Sequence, residues 1–395
     1  MRRLVLLTCW CFFSPAFAAP DDLRLTLPSL WHGVSGVPIS LYYDNVVLTQ
    51  EPGKYVFQVN CDIGKSEPRR WTVAPTEKDV GDHALEVVVK DANGGILERA
   101  KTTLRIVPAN AGEGRNLRLL IVGDSLTNAT LYPNEIARLL SEPGNPQWTM
   151  LGTHKVSSAK PGVVHEGYGG WTWAAFLTRW ADEPKDKAGR VQRSPFVFKG
   201  ADGKPALDIP RYIREACGGQ PPDVVTFLLG INDCFHVKPG DPKAVDKVIH
   251  DVLGNAEKLV AAFHAAAPKA VFAIGLTTPP NDRQEAFQAN YKTSYTRWGW
   301  KRIQHRLVEV MLAQFKGRER DGIYLVATEL NVDPIDGFPV NNGVHPNATG
   351  YAQIGASFYG WLKAWLAGNA GLTASATDYD VLIRHARIAD GTGAP

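Results

Sequence analysis

The sequence predicts an α/β protein: a five-stranded parallel sheet covered by helices on both faces, preceded by a small all-β sandwich. Three observations carry this expectation. Before residue 109 the apolar residues fall in short β-branched or aromatic runs separated by turn residues. After residue 117, apolar strand-like runs alternate with longer segments of helical spacing, which calls for right-handed crossovers and a sheet buried on both faces. The length, 395 residues, exceeds what one hydrophobic core usually organises.

The chain begins MRRLVLLTCWCFFSPAFAAP. A basic start, an apolar stretch of about ten residues and the small-residue end Ala16-Phe17-Ala18 form the pattern of a cleavable secretory signal over residues 1–19, so a secreted or periplasmic location is expected. No other segment approaches the roughly 18 consecutive apolar residues of a membrane span, and no stable membrane anchor is expected. Of the five cysteines, Cys9 and Cys11 fall in this leader, leaving Cys61, Cys217 and Cys234. An odd number allows at most one disulfide; Cys217 and Cys234 either pair or remain buried thiols. A net charge of +3 with scattered Lys and Arg gives no reason to expect a nucleic-acid partner. Nothing in the sequence specifies an oligomeric state.

Residues 20–108 contain ISLYYDNVVL, GKYVFQVNC, RRWTVAP, HALEVVVKD and AKTTLRIVP, divided by turn signals such as Glu-Pro-Gly and Asn-Gly-Gly. Their spacing fits a small sandwich. The Gly-Asp-His and Leu-Glu-Val-Val-Val-Lys-Asp run resembles the late strands of an immunoglobulin-like module. Residues 109–116 read as a linker. From residue 117 to 368, strands are expected at LRLLIVGD, QWTMLGT, DVVTFLLG, AVFAIGLT and GIYLVATEL, and helices at AVDKVIHDVLGNAEKLVAAFHAAA and RIQHRLVEVMLAQF. In such sheets ligands collect beyond the carboxyl ends of the strands, and Ser125 directly follows the first of them.

Four blocks then stand in order: Gly123-Asp124-Ser125-Leu126, Gly167-Tyr168-Gly169-Gly170-Trp171-Thr172, Gly230-Ile231-Asn232-Asp233, and Gly343-Val344-His345-Pro346. Together they resemble the sequence blocks of the SGNH hydrolases, also called the GDSL esterase family. The resemblance implies a three-layer α/β/α, flavodoxin-like domain and a serine esterase. It also implies an oxyanion hole made of the backbone N–H groups of Ser125 and Gly170 and the side-chain amide of Asn232. The chemistry agrees: a serine hydroxyl needs a base within hydrogen-bond reach, for which His345 is the candidate, and neutral donors must face the oxygen that gains charge. Gly169 is a rival donor to Gly170. Asp124 reads as a helix cap or a local brace.

One position departs from the family. An Asp three residues before the His usually orients the ring, and Asn342 stands there instead. In a comparable triad, exchanging that carboxylate for an amide costs on the order of 10⁴ in turnover, so Asn342 is not expected simply to inherit the role. A backbone carbonyl acting on His345, a carboxylate such as Asp336 or Asp333, or a crippled enzyme are the alternatives.

The histidines and cysteines lack metal-ligand spacing and no phosphate-cradling glycine motif occurs, so no metal or cofactor is expected. SPFVFKGADGKPALDIPRYI and NYKTSYTRWGWKRIQHR are rich in aromatics and cations, which suit stacking on sugar rings. Trp171, Trp298 and Trp300 are either sugar contacts or core. The expected substrate is a small-molecule or polysaccharide ester carrying a short acyl group, by analogy with exported carbohydrate esterases of the family. A glycan-binding protein with a decayed esterase site and a lipase are the competing readings. The tail, residues 369–395, holds DYDVLIRHARIADGTGAP, which resembles the opening of an amidohydrolase of the N-acyl-amino-acid deacylase kind. It is expected to be the inactive remnant of a fusion or a flexible end.

Overall fold

β1 (Asn116–Gly123), β2 (Gln147–Leu151), β3 (Val224–Leu228), β4 (Val271–Gly275) and β5 (Ile323–Val326) form a parallel sheet in the order β2-β1-β3-β4-β5. This is seen in a computed structural model, which describes residues 23–368 and Gly371. Leu119, Leu120, Ile121 and Val122 of β1 and Val224, Val225 and Phe227 of β3 are all buried. A strand covered on both faces needs no polar side, and these runs are therefore almost wholly apolar, with Thr226 the one polar residue among them. The two-residue strand Glu166–Gly167 extends the sheet past the end of β2, pairing Val122 with Glu166 and Gly123 with Gly167. The order is the flavodoxin-like one, and its switch point, where ligands bind, lies between β1 and β3.

Six helices matter for the site: α1 (Ser125–Asn128), α2 (Leu131–Leu140), α3 (Trp173–Thr178), α4 (Pro242–Ala266), α5 (Arg297–Gln314) and α6 (Ala348–Leu366). α4 starts with Pro at its first position and Asp241 as cap, accepting from Ala244 N at 3.1 Å. It buries Val245, Ile249, Val252, Ala256, Leu259 and Phe263, a stripe at three- and four-residue spacing. α2 packs on α6, with Tyr132 and Phe358 stacked at 5.8 Å, whereas α4 lies against α3 and α5. These two groups form the outer layers of the α/β/α arrangement.

The N-terminal strands form a four-stranded and a three-stranded sheet around Trp31, Leu41, Trp71, Leu104 and Ile106. Two expectations are corrected here. ISLYYDNVVL is not one strand: Ile39–Tyr42 is followed by a helical turn, Tyr43–Val46. The turn aims the Asn45 amide at the carbonyls of Glu329 and Val332, both at 2.7 Å, and so docks the β-unit onto the segment after β5. Leu30–Val34, absent from the sequence reading, is a strand parallel to Ile96–Val107. It is buried along its whole length and so lacks the alternation that marks a half-exposed strand.

Ala327 and Leu330 from beyond β5 belong to the same core as the β-unit. Further bonds cross the junction from Tyr42 N to Leu330 O (3.1 Å) and from Ser40 N to Asn331 Oδ1 (2.8 Å). Cys61, Cys217 and Cys234 are free thiols, the latter two buried, so Cys217 and Cys234 do not pair. No helix among the described residues is long and apolar enough to cross a membrane. The expected leader and the amidohydrolase-like tail lie outside the described residues.

Candidate active site

β1 ends at Gly123, and Asp124 caps α1 by accepting from Leu126 N at 2.9 Å. Ser125 therefore opens a short helix at the carboxyl edge of the sheet. His345 lies on the loop that leads into α6, whose cap Asn347 accepts from Thr349 N (2.9 Å) and Gly350 N (3.2 Å). Its Nε2 stands 2.9 Å from Ser125 Oγ, across 220 residues of sequence. Burial holds the imidazole below its ordinary pKa of 6.5, so at neutral pH it is an uncharged base.

Nδ1 of His345 faces Oδ1 of Asn342 at 3.2 Å. The position left uncertain on sequence grounds is thus the one that holds the ring, and the alternatives to it are corrected. No backbone carbonyl is needed at Nδ1, and neither Asp336 nor Asp333 approaches the imidazole. Those two carboxylates face Arg69 of the β-unit, at 2.7 Å and 3.2 Å. Asp333 also accepts from the N–H groups of Ile335 and Asp336, at 2.9 and 3.0 Å. They brace the loop before His345 and do not act on its ring.

Asn232 follows β3 across the switch point. Its Nδ2 donates to Asp124 Oδ2 at 3.2 Å and to Trp171 O at 3.1 Å, which ties together the residues next to Ser125 and next to Gly170. Gly169 and Gly170 form the exposed tip of a turn closed by Trp171 N donating to Tyr168 O at 3.3 Å. Gly170 has φ +76°, a left-handed conformation that favours glycine. Gly167 is needed for another reason: a Cβ there would lie 2.5 Å from the Thr127 side chain.

Four supporting residues carried no assigned role in the sequence reading. Asp233 accepts from Trp173 N at 3.1 Å at the start of α3; burial pushes its carboxyl up to about 7. Burial, with the nearby Asp233 charge, likewise pushes Asp124 up to about 7. Glu166 is buried and takes bonds from Thr153 N (2.7 Å) and Tyr212 OH (2.8 Å), fixing the strand that presents Gly167. His165 Nδ1 accepts from Gly167 N at 3.0 Å, and burial lowers this imidazole to about 3, so it stays neutral. Asn281 donates through Nδ2 to Asn342 O (2.9 Å) and Pro339 O (2.8 Å). Asp233 lay within a recognised block, and Asn281 lies beyond the end of β4, the edge where ligands gather.

The tryptophan expectations are corrected in part. Trp171 is buried against Tyr168 and Phe176, at ring distances of 4.6 and 4.9 Å, and serves through its carbonyl and not as a stacking surface. Trp300 is buried on α5, stacked on Phe235 at 4.7 Å. Trp298 remains half-buried, with Arg302 beside its ring.

A doubly covered sheet of this order, with a serine after β1, a histidine before the last helix and an asparagine after β3, defines a serine hydrolase of the α/β/α type. The chain belongs to the GDSL-like Lipase/Acylhydrolase family, which matches residues 121–353, and it is a serine carboxylic ester hydrolase. It is similar to a Clostridium thermocellum family 3 carbohydrate esterase at 18% identity, covering 65% of this chain and 100% of that one, with a TM-score of 0.39. It is also similar to a family 3 carbohydrate esterase from Talaromyces cellulolyticus (17% identity, 63% and 98% covered, TM-score 0.37). A third similar structure is an aryl esterase from M. smegmatis (14% identity, 63% and 99% covered, TM-score 0.35). Comparison with curated protein sequences gave no match.

Proposed function

We propose that this chain is an exported esterase that removes short acyl groups, acetyl foremost, from carbohydrate through an acyl-enzyme on Ser125. Ser125 Oγ attacks the ester carbonyl carbon while His345 Nε2 takes its proton. The carbonyl oxygen gains the charge and is held by the N–H groups of Ser125 and Gly170 and by the Asn232 amide, one of whose two N–H groups turns to it from Asp124 or Trp171 O. Collapse breaks the bond to the alcohol oxygen, which leaves with the proton from His345. Water then attacks the acyl-enzyme, giving its proton to His345, and Ser125 departs with that proton restored.

The observation that carries this reading is the 2.9 Å contact of His345 Nε2 with Ser125 Oγ, opposite an acceptor on Nδ1. That arrangement puts the ring proton on Nδ1 and the lone pair toward the hydroxyl. A decayed site was suggested by Asn342 alone, and the contact of its Oδ1 with Nδ1 of His345 favours a working site over that reading. Export draws on the leader pattern, and carbohydrate on the aromatic and cationic segments and the attached β-unit. Ser125→Ala is expected to abolish hydrolysis of 4-nitrophenyl acetate with an unchanged circular dichroism spectrum; retained turnover overturns the reading. Acetate release from acetylated xylan and pectin, compared with triacetin, tests the carbohydrate part.

A further inference from the structure

Between the β-unit and the segment after β5 lies a cleft of ≈ 340 Å³ that the catalytic residues do not line. One wall is aromatic: Tyr55 and Phe57 line it, and Phe57 is backed by Tyr43, stacked at 4.8 Å and 4°. Pro334 and Ile335 form the facing wall. At the base, Asp44 and Asp282 are both half-buried. Lys301 binds Asp44, Arg297 lies 3.5 Å from Asp44, and Arg297 also contacts Asp282. Two carboxylates and two cations leave the base without net charge but well supplied with acceptors. At the rim stands Arg69, whose side chain is 46% exposed.

We propose that this cleft, built by both parts of the chain, is a subsite for a neutral sugar residue of the alcohol that bears the ester. The proposal rests on the carbohydrate-esterase reading above. A pyranose ring has a flat C–H face and a rim of hydroxyls; aromatic rings take the first, and carboxylate and guanidinium groups take the second. A long acyl chain would desolvate the charged base without compensation, and an ionic ligand would find no net counter-charge. The size suits one or two sugar units, at the small end of ligand pockets, roughly 300–1,000 Å³.

The cleft also connects to the catalytic loop through the backbone. Asp282 N donates to Pro334 O at 2.8 Å, and the preceding Asn281 N donates to Gly343 O at 2.9 Å. One dipeptide therefore lines the cleft with its second residue and fixes the His345 loop with its first. Arg69 reaches from the rim to Asp333 and Asp336 on the same loop. A sugar seated here lies beside the loop that carries the base.

The test is titration calorimetry on the full-length Ser125→Ala chain with xylohexaose, cellohexaose and tri-galacturonate. A neutral oligosaccharide is expected to bind, adding Tyr55→Ala is expected to weaken it roughly tenfold or more, and Tyr55→Phe, which keeps the ring, is expected to stay within about twofold. Absence of binding by both neutral oligosaccharides, binding of tri-galacturonate alone, or an unchanged Kd in the folded Tyr55→Ala chain overturns the proposal. Wild-type hydrolysis of 4-nitrophenyl acetate is measured alongside. Its loss refutes the esterase reading, whereas its presence without oligosaccharide binding refutes the subsite alone.

Discussion

The carboxamide oxygen of Asn342 stands 3.2 Å from Nδ1 of His345 and cannot readily exchange places with its own NH₂ group. The N–H groups of Val344 and His345 point at the same oxygen, at 3.2 and 2.9 Å. An NH₂ in that position would face both of these backbone donors. The amide therefore selects the productive tautomer of His345, which is the part of the carboxylate's role that geometry alone can supply. It does not supply the negative charge that steadies an imidazolium.

Restoring that charge gives the first prediction. Asn342→Asp is expected to raise kcat/KM by about tenfold, since a charge-assisted hydrogen bond is roughly twice as strong as a neutral one. It also moves the acid limb of the pH–rate profile. In the wild type burial holds His345 below 6.5, so activity persists under that pH and falls as pH drops through the lowered value. A neighbouring carboxylate favours the protonated ring and shifts the limb upward. A profile of kcat/KM against pH for 4-nitrophenyl acetate checks both effects; an unmoved limb would refute the assigned contact.

Asn232 gives the second. Its NH₂ donates to Asp124 and Trp171 O, one N–H to each, which holds the amide between the residues next to Ser125 and Gly170; in the proposed mechanism one of these N–H groups passes to the substrate oxygen. Asn232→Ala removes one oxyanion donor, and kcat is expected to fall by about 10²–10³ with KM little changed. Steady-state kinetics on the aryl ester separates the two constants. A rise in KM at constant kcat would instead make Asn232 a ground-state contact.

The sheet was legible in the sequence because β1 and β3 are apolar on both faces and end in short polar blocks. Ser125, Asn232 and His345 stood out for the same reason, as polar residues at places where an α/β chain opens to solvent. The role of Asn342 was not legible: it depends on a loop curl that brings two backbone N–H groups to one side-chain oxygen. Trp171 and Trp300 were ambiguous because an indole that fills a core and one that stacks on a sugar share the same sequence context. Leu30–Val34 was missed since a strand buried throughout shows no period of two. Asp333 and Asp336 looked like orienting carboxylates only because Arg69, more than 260 residues earlier, is invisible to local reading.

Glu329 predicts a pH dependence of stability. It is 1% exposed, no cation or side-chain donor faces it among the described residues, and burial outweighs the nearby N–H groups of Glu329 and Leu330 and raises its pKa from 4.5 to about 8. The folded state thus keeps a proton that the unfolded state releases. Stability from this group is greatest below pH 4.5, declines as pH rises to about 8, and is flat above. Glu329→Gln cannot ionise, so it is expected to exceed the wild type in Tm at pH 9 and to converge with it near pH 4.5. Asp124 and Asp233, each raised to about 7, act in the same direction, so some decline between pH 4 and 7 persists in the variant. Thermal melts across this range check it; parallel curves for the two chains would show that Glu329 is not protonated in the fold.

Asn45 tests whether the β-unit is held to the catalytic part by specific bonds or by apolar contact alone. Its NH₂ is the donor to the carbonyls of Glu329 and Val332, both at 2.7 Å and buried. Asn45→Ala leaves those acceptors without a donor and is expected to cost about 1–3 kcal/mol. For a protein of this size that lowers Tm by on the order of 1–1.5 °C per kcal/mol. Asn45→Asp keeps the shape but sets a carboxylate against two carbonyl oxygens, so it is expected to lower Tm further than alanine does. The order wild type, alanine, aspartate in Tm is the signature of a donor facing two acceptors. If aspartate melts with the wild type, the junction owes its stability to the shared core of Trp31, Leu41 and Leu330, and the amide contacts are incidental to it.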